Sequence, residues 1–342
     1  SALEYWDKVE GDRCISQHGS TVIKTPDIPD ARAELEAEME AVKLVMCSLR
    51  TRHNTLAFVN RVPSEVLVQI FEWVRKAYMD RSPHNSHRLP VVKANIQWVD
   101  LTHVCRQWRI VAVNHPGLWS HIMIGTKFTE EFLCRSCTGP ITIDYTIFWD
   151  VNPVVPDDEI EDLAGIVSQN LCRLKSFRFF GTQTHFTIIF PALLGPAPVI
   201  EKIVLSSRVV GGGVIPVPFL PSDLFDHLSP RLRHLQLDDW NCPWQSLKFH
   251  SLIHLHLSHY FPPLDGMEAG GFADFLDALS RMPLLEVLHL MQVLPPPHLS
   301  APWQSVHGPK QVALPHLRTL LLADTIHKCC LVLKHIAAPP AT

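Results

Sequence analysis

Leu232-Arg233-His234-Leu235-Gln236-Leu237 and, twenty residues later, Leu252-Ile253-His254-Leu255-His256-Leu257 draw the same figure twice: leucine, two residues, leucine, one residue, leucine. The last positions alternate with the two-residue period of a strand, so the leucines share one face and the polar residues between them share the other. Four further windows fit when Phe or Ile is allowed: Leu174/Phe177/Phe179, Ile200/Ile203/Leu205, Leu285/Leu288/Leu290 and Leu317/Leu320/Leu322. Their starts lie 20 to 33 residues apart, one supersecondary unit plus a loop of variable length. Such units cannot bury an apolar face singly but share a core when stacked. Ile141, Ile143 and Tyr145 alternate likewise and carry the expected sheet back towards residue 120. Gly271 to Leu279 and Ile326 to Ile336 read as return helices, Glu130 to Ser136 as a shorter one, and Asp157-Asp158-Glu159 as the charged start of a helix reaching Val167.

Leucine usage marks a boundary: 11 fall in the first 170 residues and 31 in the remaining 172. A chain of 342 residues holds two or three folded units at roughly 100 to 200 residues each. With 46% apolar and 19% charged residues it is folded rather than disordered. A net charge of -4 argues against nucleic-acid binding, which needs a basic excess. Nine Cys at irregular spacing do not make a disulfide framework, so the thiols are expected reduced and the protein intracellular, in cytoplasm or nucleus. The charge-free stretch 179–200 is long enough to cross a bilayer, but Pro191, Pro196, Pro198 and Thr182-Gln183-Thr184-His185 argue against a membrane span. The chain begins at Ser1 without an initiator Met, as trimming or truncation would leave it. Residues 1–29 show no period and read as a poorly ordered lead-in.

Over 30–59, Leu35, Met39, Val42, Met46, Leu49, His53 and Leu56 recur at alternating steps of four and three, which predicts one long amphipathic helix. Asp30 is its expected cap, and Glu34, Glu36, Glu38 and Glu40 suit its positive end. The repeat allows a coiled coil, but its length and His53 in the seam match a single helix packed on its own domain. Pro63-Ser64-Glu65 opens a second helix with Val66, Leu67, Ile70, Phe71 and Val74 on one stripe. Leu101, Val104, Cys105, Trp108, Val111 and Ala112 predict a third, stopped by Asn114-His115-Pro116-Gly117.

Val62-Pro63-Ser64-Glu65-Val66-Leu67-Val68-Gln69-Ile70-Phe71, followed by Val104-Cys105-Arg106-Gln107-Trp108-Arg109 and Leu118-Trp119, resembles the divergent F-box of fungal proteins over 60–119. Val62 replaces the usual Leu before Pro, and the insert between the helices is long. The resemblance implies docking on the Skp-family adaptor of a cullin-based ubiquitin ligase, with no catalysis and no cofactor on this chain. It implies adaptor contact by Val62, Pro63, Glu65, Val66, Leu67, Ile70 and Phe71, with Val104, Cys105 and Trp108 shaping the fold or its rim. The region 120–342 resembles the irregular leucine-rich repeats that often follow an F-box, which implies a protein substrate. The fold class expected is therefore α+β or α/β: a helical F-box segment, then an irregular leucine-rich-repeat-like solenoid.

On stacked strands the outward positions include Ser176, Arg178, Lys202, Val204, His234, Gln236, His254, His256, Val287 and His289. Their mixture of charge and imidazole suits a protein ligand; Arg178, His234, Gln236, His254, His256 and His289 are the candidate contacts. His254, His256 and His259 carry no Asp or Glu within five residues, and Cys134 and Cys137 have no second pair, so no metal site is expected. No phosphate-cradling or nucleophile-elbow motif occurs, and Gly211-Gly212-Gly213 reads as a loop. The competing readings are a repeat scaffold unrelated to ubiquitin and a metal-dependent enzyme using the His cluster.

Overall fold

The computed structural model describes residues 4–5, 8–9, 28–79, 96–146, 157–208, 218–260, 270–295 and 311–337. Most of the lead-in, most of the insert between the second and third expected helices, and the Gly211–Gly213 loop lie outside them.

Helix α1 (Ile28–Leu56) is followed by a 3-10 turn at Phe58–Arg61 and by α2 (Ser64–Met79). Asp30 sits in the first turn of α1 rather than at its cap. The expectation that α1 packs on its own domain fails: Leu35, Met39, Val42, Met46 and Leu49 are all exposed. The described packing of α1 lies at its C-terminal end, where Asn60 Nδ2 donates to the Asn54 carbonyl at 2.7 Å.

The third helix is shorter than its periodicity predicts. A 3-10 turn (Gln97–His103) comes first, and α3 starts only at Arg106 and runs to Val113. Cys105 breaks the run because its backbone is extended (φ -156, ψ 170) while its sulfur accepts from Trp108 N–H at 3.5 Å, the work of an N-cap. Leu101 and Val104 therefore lie outside the helix, and Arg109 Nε reaches back to the Thr102 carbonyl at 2.8 Å to hold the two pieces together. Leu118 and Trp119 are buried in the next 3-10 turn.

From there the chain builds one parallel sheet: β1 (His121–Ile122), β2 (Ile141–Thr146), β3 (Leu174–Thr182), β4 (Lys202–Arg208), β5 (His234–Asp238), β6 (His254–Ser258), β7 (Val287–Met291) and, after β8 (Val312–Ala313), β9 (Thr319–Ala323). Strand β8 pairs instead with β10 (Ile336–Ala337). Each strand of the large sheet adds beside its predecessor, so the connections never cross. The returns between strands include α4 (Thr129–Arg135), α5 (Asp157–Asn170), α6 (Gln183–Ile189) and α7 (Phe272–Ser280), and α8 (Ile326–His335) follows β9.

The register aligns the six windows. Phe177, Ile203, Leu235, Leu255, Leu288 and Leu320 form one row; Phe179, Leu205, Leu237, Leu257, Leu290 and Leu322 form the next. All but Leu320 and Leu322 on the edge strand are buried. Because side chains alternate along a strand, this register is the one that keeps every row inside; a slip of one residue would turn the leucines to water.

One device fixes the helical part to the sheet region and another braces the sheet region itself. Trp98, Trp119 and Phe132 pack edge to face with centroids 5.1 to 6.1 Å apart, and Trp119 Nε1 donates to the Ala112 carbonyl at 2.8 Å. Arg173 ties the loop after α4 to the approach of β3: Nη1 donates to Ser136 Oγ (3.0 Å), Cys137 O (2.6 Å) and Gly139 O (3.2 Å), and Nε to Asn170 Oδ1 (2.8 Å).

Candidate functional site

Two surfaces carry the residues singled out by sequence. The first is α2. The predicted stripe of five divides in two: Leu67 and Phe71 have no exposed surface, Val74 is half-buried, and Val66 and Ile70 stay in water. Leu67 and Phe71, named above for adaptor contact, lie in the core of the described residues. Phe71 lies against Trp108 with centroids 5.1 Å apart at 54°. The exposed stripe runs Val66, Ile70, Trp73, at i, i+4 and i+7 of one helix face. Trp73 is 79% exposed and was missed from sequence, although its spacing from Val66 and Ile70 carried the signal.

Cys105 and Trp108 turn inward as well, both half-buried. The indole Nε1 of Trp108 donates to Asn60 Oδ1 at 3.0 Å, the Cys105 thiol donates to the same oxygen at 3.7 Å, and Gln107 Nε2 donates to the Asn60 carbonyl at 3.0 Å. Asn60 therefore fastens α3 to the turn before α2, a role that no sequence period marks. Val62 is half-buried against the core, while Pro63, Glu65 and Val104 are exposed, as is Phe58 on the preceding turn at 85%.

The second surface is the polar face of the sheet. Ser176, Lys202, His234, His254, Val287 and Thr319 stand in one row, and Arg178, Val204, Gln236, His256, His289 and Leu321 in the next. Six of the predicted contacts are hence brought together: Arg178, His234, Gln236, His254, His256 and His289. Arg178 pairs with Asp144 across β2 and β3 at 3.4 Å. The imidazoles form a continuous group, with centroids 5.6 to 5.8 Å apart for His234–His254, His254–His289 and His256–His289. Burial, then the neighbouring His234, His289 and His256 and Lys202, holds the His254 pKa below its usual value; burial and His256 lower that of His289.

Asp238 is the acid that local sequence did not place beside these histidines. Register sets it one strand from His256, whose Nε2 lies 3.4 Å from Oδ1, while Ser258 Oγ (2.6 Å) and Gln236 Nε2 (2.9 Å) donate to the same carboxylate. Burial would raise its pKa, but the three hydrogen bonds together outweigh it and keep the group below the ordinary Asp range. His259 does not join the cluster. It is buried, its Nδ1 has no partner among the described residues, and burial pushes its pKa down to about 4. Among the described residues no three His, Cys, Asp or Glu converge as metal ligands, and no helix is long and apolar enough to cross a membrane.

No curated protein and no solved structure matches the chain. The family model described as F-box-like matches residues 59–124, the turn, α2, the 3-10 segment, α3 and β1, and this supports reading the chain as an F-box protein.

Proposed function

We propose that this protein is the substrate-recognition subunit of a cullin-based, SCF-type ubiquitin ligase. Its F-box-like unit docks on the Skp-family adaptor and, through it, on a cullin; the sheet region, an irregular leucine-rich-repeat array, holds a target protein. The observation that carries this reading is the Val66, Ile70, Trp73 stripe, left in water beside a fully buried one inside a segment that matches the F-box-like model. Large apolar groups in such a stripe have the composition of an interface centre. Val62, Pro63, Glu65 and Val104 border the contact, while Leu67, Phe71, Cys105 and Trp108 set its shape. Arg178, His234, Gln236, His254, His256 and His289 supply the polar face for the target, and the Trp98, Trp119, Phe132 cluster keeps the two surfaces in fixed relation. The chain itself catalyses nothing: it positions one protein against another.

The test is binding of the purified chain to a purified Skp-family adaptor. A one-to-one complex is expected, lost in Ile70→Ala/Trp73→Ala while thermal melting is unchanged. Absence of a complex with the unaltered chain would leave a repeat scaffold unrelated to ubiquitin.

A further inference from the structure

We propose that α1 pairs with α1 of a second copy of this chain as an antiparallel two-helix coiled coil. Leu35, Met39, Val42, Met46, Leu49, His53 and Leu56 are spaced as alternate d and a positions of a heptad repeat. Nothing in the described fold covers this seam: Leu35, Met39, Val42, Met46 and Leu49 are 45 to 61% exposed. A helix solvated on all sides does not carry such a row, and a contiguous exposed apolar patch marks an interaction surface.

Charge identifies the occupant. Glu34, Glu36, Glu38 and Glu40 lie in the N-terminal half of the helix; Lys43, Arg50, Arg52 and His53 lie in the C-terminal half. A parallel pair would set Glu38 beside Lys43 of the second copy but would leave Glu36, Arg50 and Arg52 without an opposite charge across the seam and set His53 against His53. An antiparallel pair sets each half against its complement. With Met39 opposite Leu49 of the second copy and Val42 opposite Met46, Leu35 faces His53, and the positions flanking the seam bring Glu36 to Arg50 and Glu38 to Arg52. Two-fold symmetry repeats each of these pairs. Arg50 and Arg52 have no ion-pair partner among the described residues, whereas Glu36 is paired with Arg32 of its own helix at 3.0 Å, an exposed contact that Arg50 of the second copy would share or replace. At the centre Val45 faces Val45, and Lys43 faces Lys43 with its charge already met by Glu40 at 3.1 Å in its own helix. The helix is about 44 Å long at 1.5 Å per residue, and the F-box-like unit begins at its C-terminal end. The pair therefore holds two copies of that unit at opposite ends of a rod and leaves both Val66, Ile70, Trp73 stripes free.

The experiment is sedimentation of the full chain across a concentration series. A reversible dimer is expected. Met39→Asp/Met46→Asp should be monomeric throughout with an unchanged melting temperature, because both side chains are exposed. Arg50→Glu/Arg52→Glu should weaken the dimer about tenfold or more, by turning attraction into repulsion at four positions. Adding Glu36→Arg/Glu38→Arg to that variant should restore it; in a parallel pair Glu38→Arg would instead set a positive charge against Lys43 of the second copy, and the dimer would not recover. A chain that is monomeric at about 100 µM, a dimer indifferent to Met39→Asp/Met46→Asp, or a fourfold variant that stays weak would each overturn the proposal. Monomeric chain whose seam is covered only when the adaptor is added would assign the face to the adaptor instead.

Discussion

The F-box-like unit and the sheet solve the same burial problem with different outcomes. In the sheet, six windows send their apolar residues inward, and the described strands expose large apolar side chains only at Met291, beside the edge, and at Leu321 on the edge itself. In α2, apolar residues occupy two adjacent stripes, and the described fold buries one: Leu67 and Phe71 have no exposed surface and Phe71 lies against Trp108, while Val66, Ile70 and Trp73 remain 42, 43 and 79% exposed. A strand's alternation separates inside from outside by 180°, so one buried face uses up its apolar residues. Helical neighbours differ by 100°, so a helix can be apolar over a wider arc than a small domain can cover. The surplus arc is what a partner sees.

Four measurements sharpen that contrast. Phe71→Ala should cost about 3–5 kcal/mol of stability, as for other buried Phe truncations, read as a lower urea midpoint; a change below about 1 kcal/mol would mean that the two stripes of α2 do not differ. His259, at the end of β6, should make the sheet region acid-sensitive. Its folded-state pKa, about 4, lies below the value near 6.5 expected when unfolded, so the unfolded chain takes up the proton first as pH falls. Stability is full above about pH 6.5 and declines by about 3 kcal/mol down to pH 4. Urea midpoints over that range should flatten in His259→Leu. Ile70→Ala and Trp73→Ala should each cost about 2 kcal/mol of adaptor affinity, roughly thirtyfold, with stability changed by no more than about 0.5 kcal/mol. Arg178→Ala removes an ion pair between two partly exposed groups and should change stability by less than about 1 kcal/mol. A larger loss there would mark the polar face of the sheet as structural.

Much of this was readable in order along the chain. The L-x-x-L-x-L windows fell on strands because a period of two admits one assignment of inside and outside once the leucines are placed. The return helices at Gly271 and Ile326 and the early strand at Ile141 followed from the same reasoning. The helix expected from Leu101 to Ala112 was not readable as it stands, because Cys105 substitutes its sulfur for a backbone partner and leaves helical geometry, a choice invisible in apolar spacing. The packing of α1 departs from expectation for a related reason: a heptad says that a seam exists, not what covers it.

Local pattern was enough to specify a small helical unit joined to a leucine-built parallel sheet, since periods and turn residues act over a few positions and are written there. Long-range packing alone chose which stripe of α2 faces water, bound Asn60 to Trp108, and brought Asp238 to His256 across a strand pair. Those outcomes depend on groups brought together from 18 to 48 residues apart, where the competition for burial and hydrogen bonds is settled by neighbours that no local pattern records.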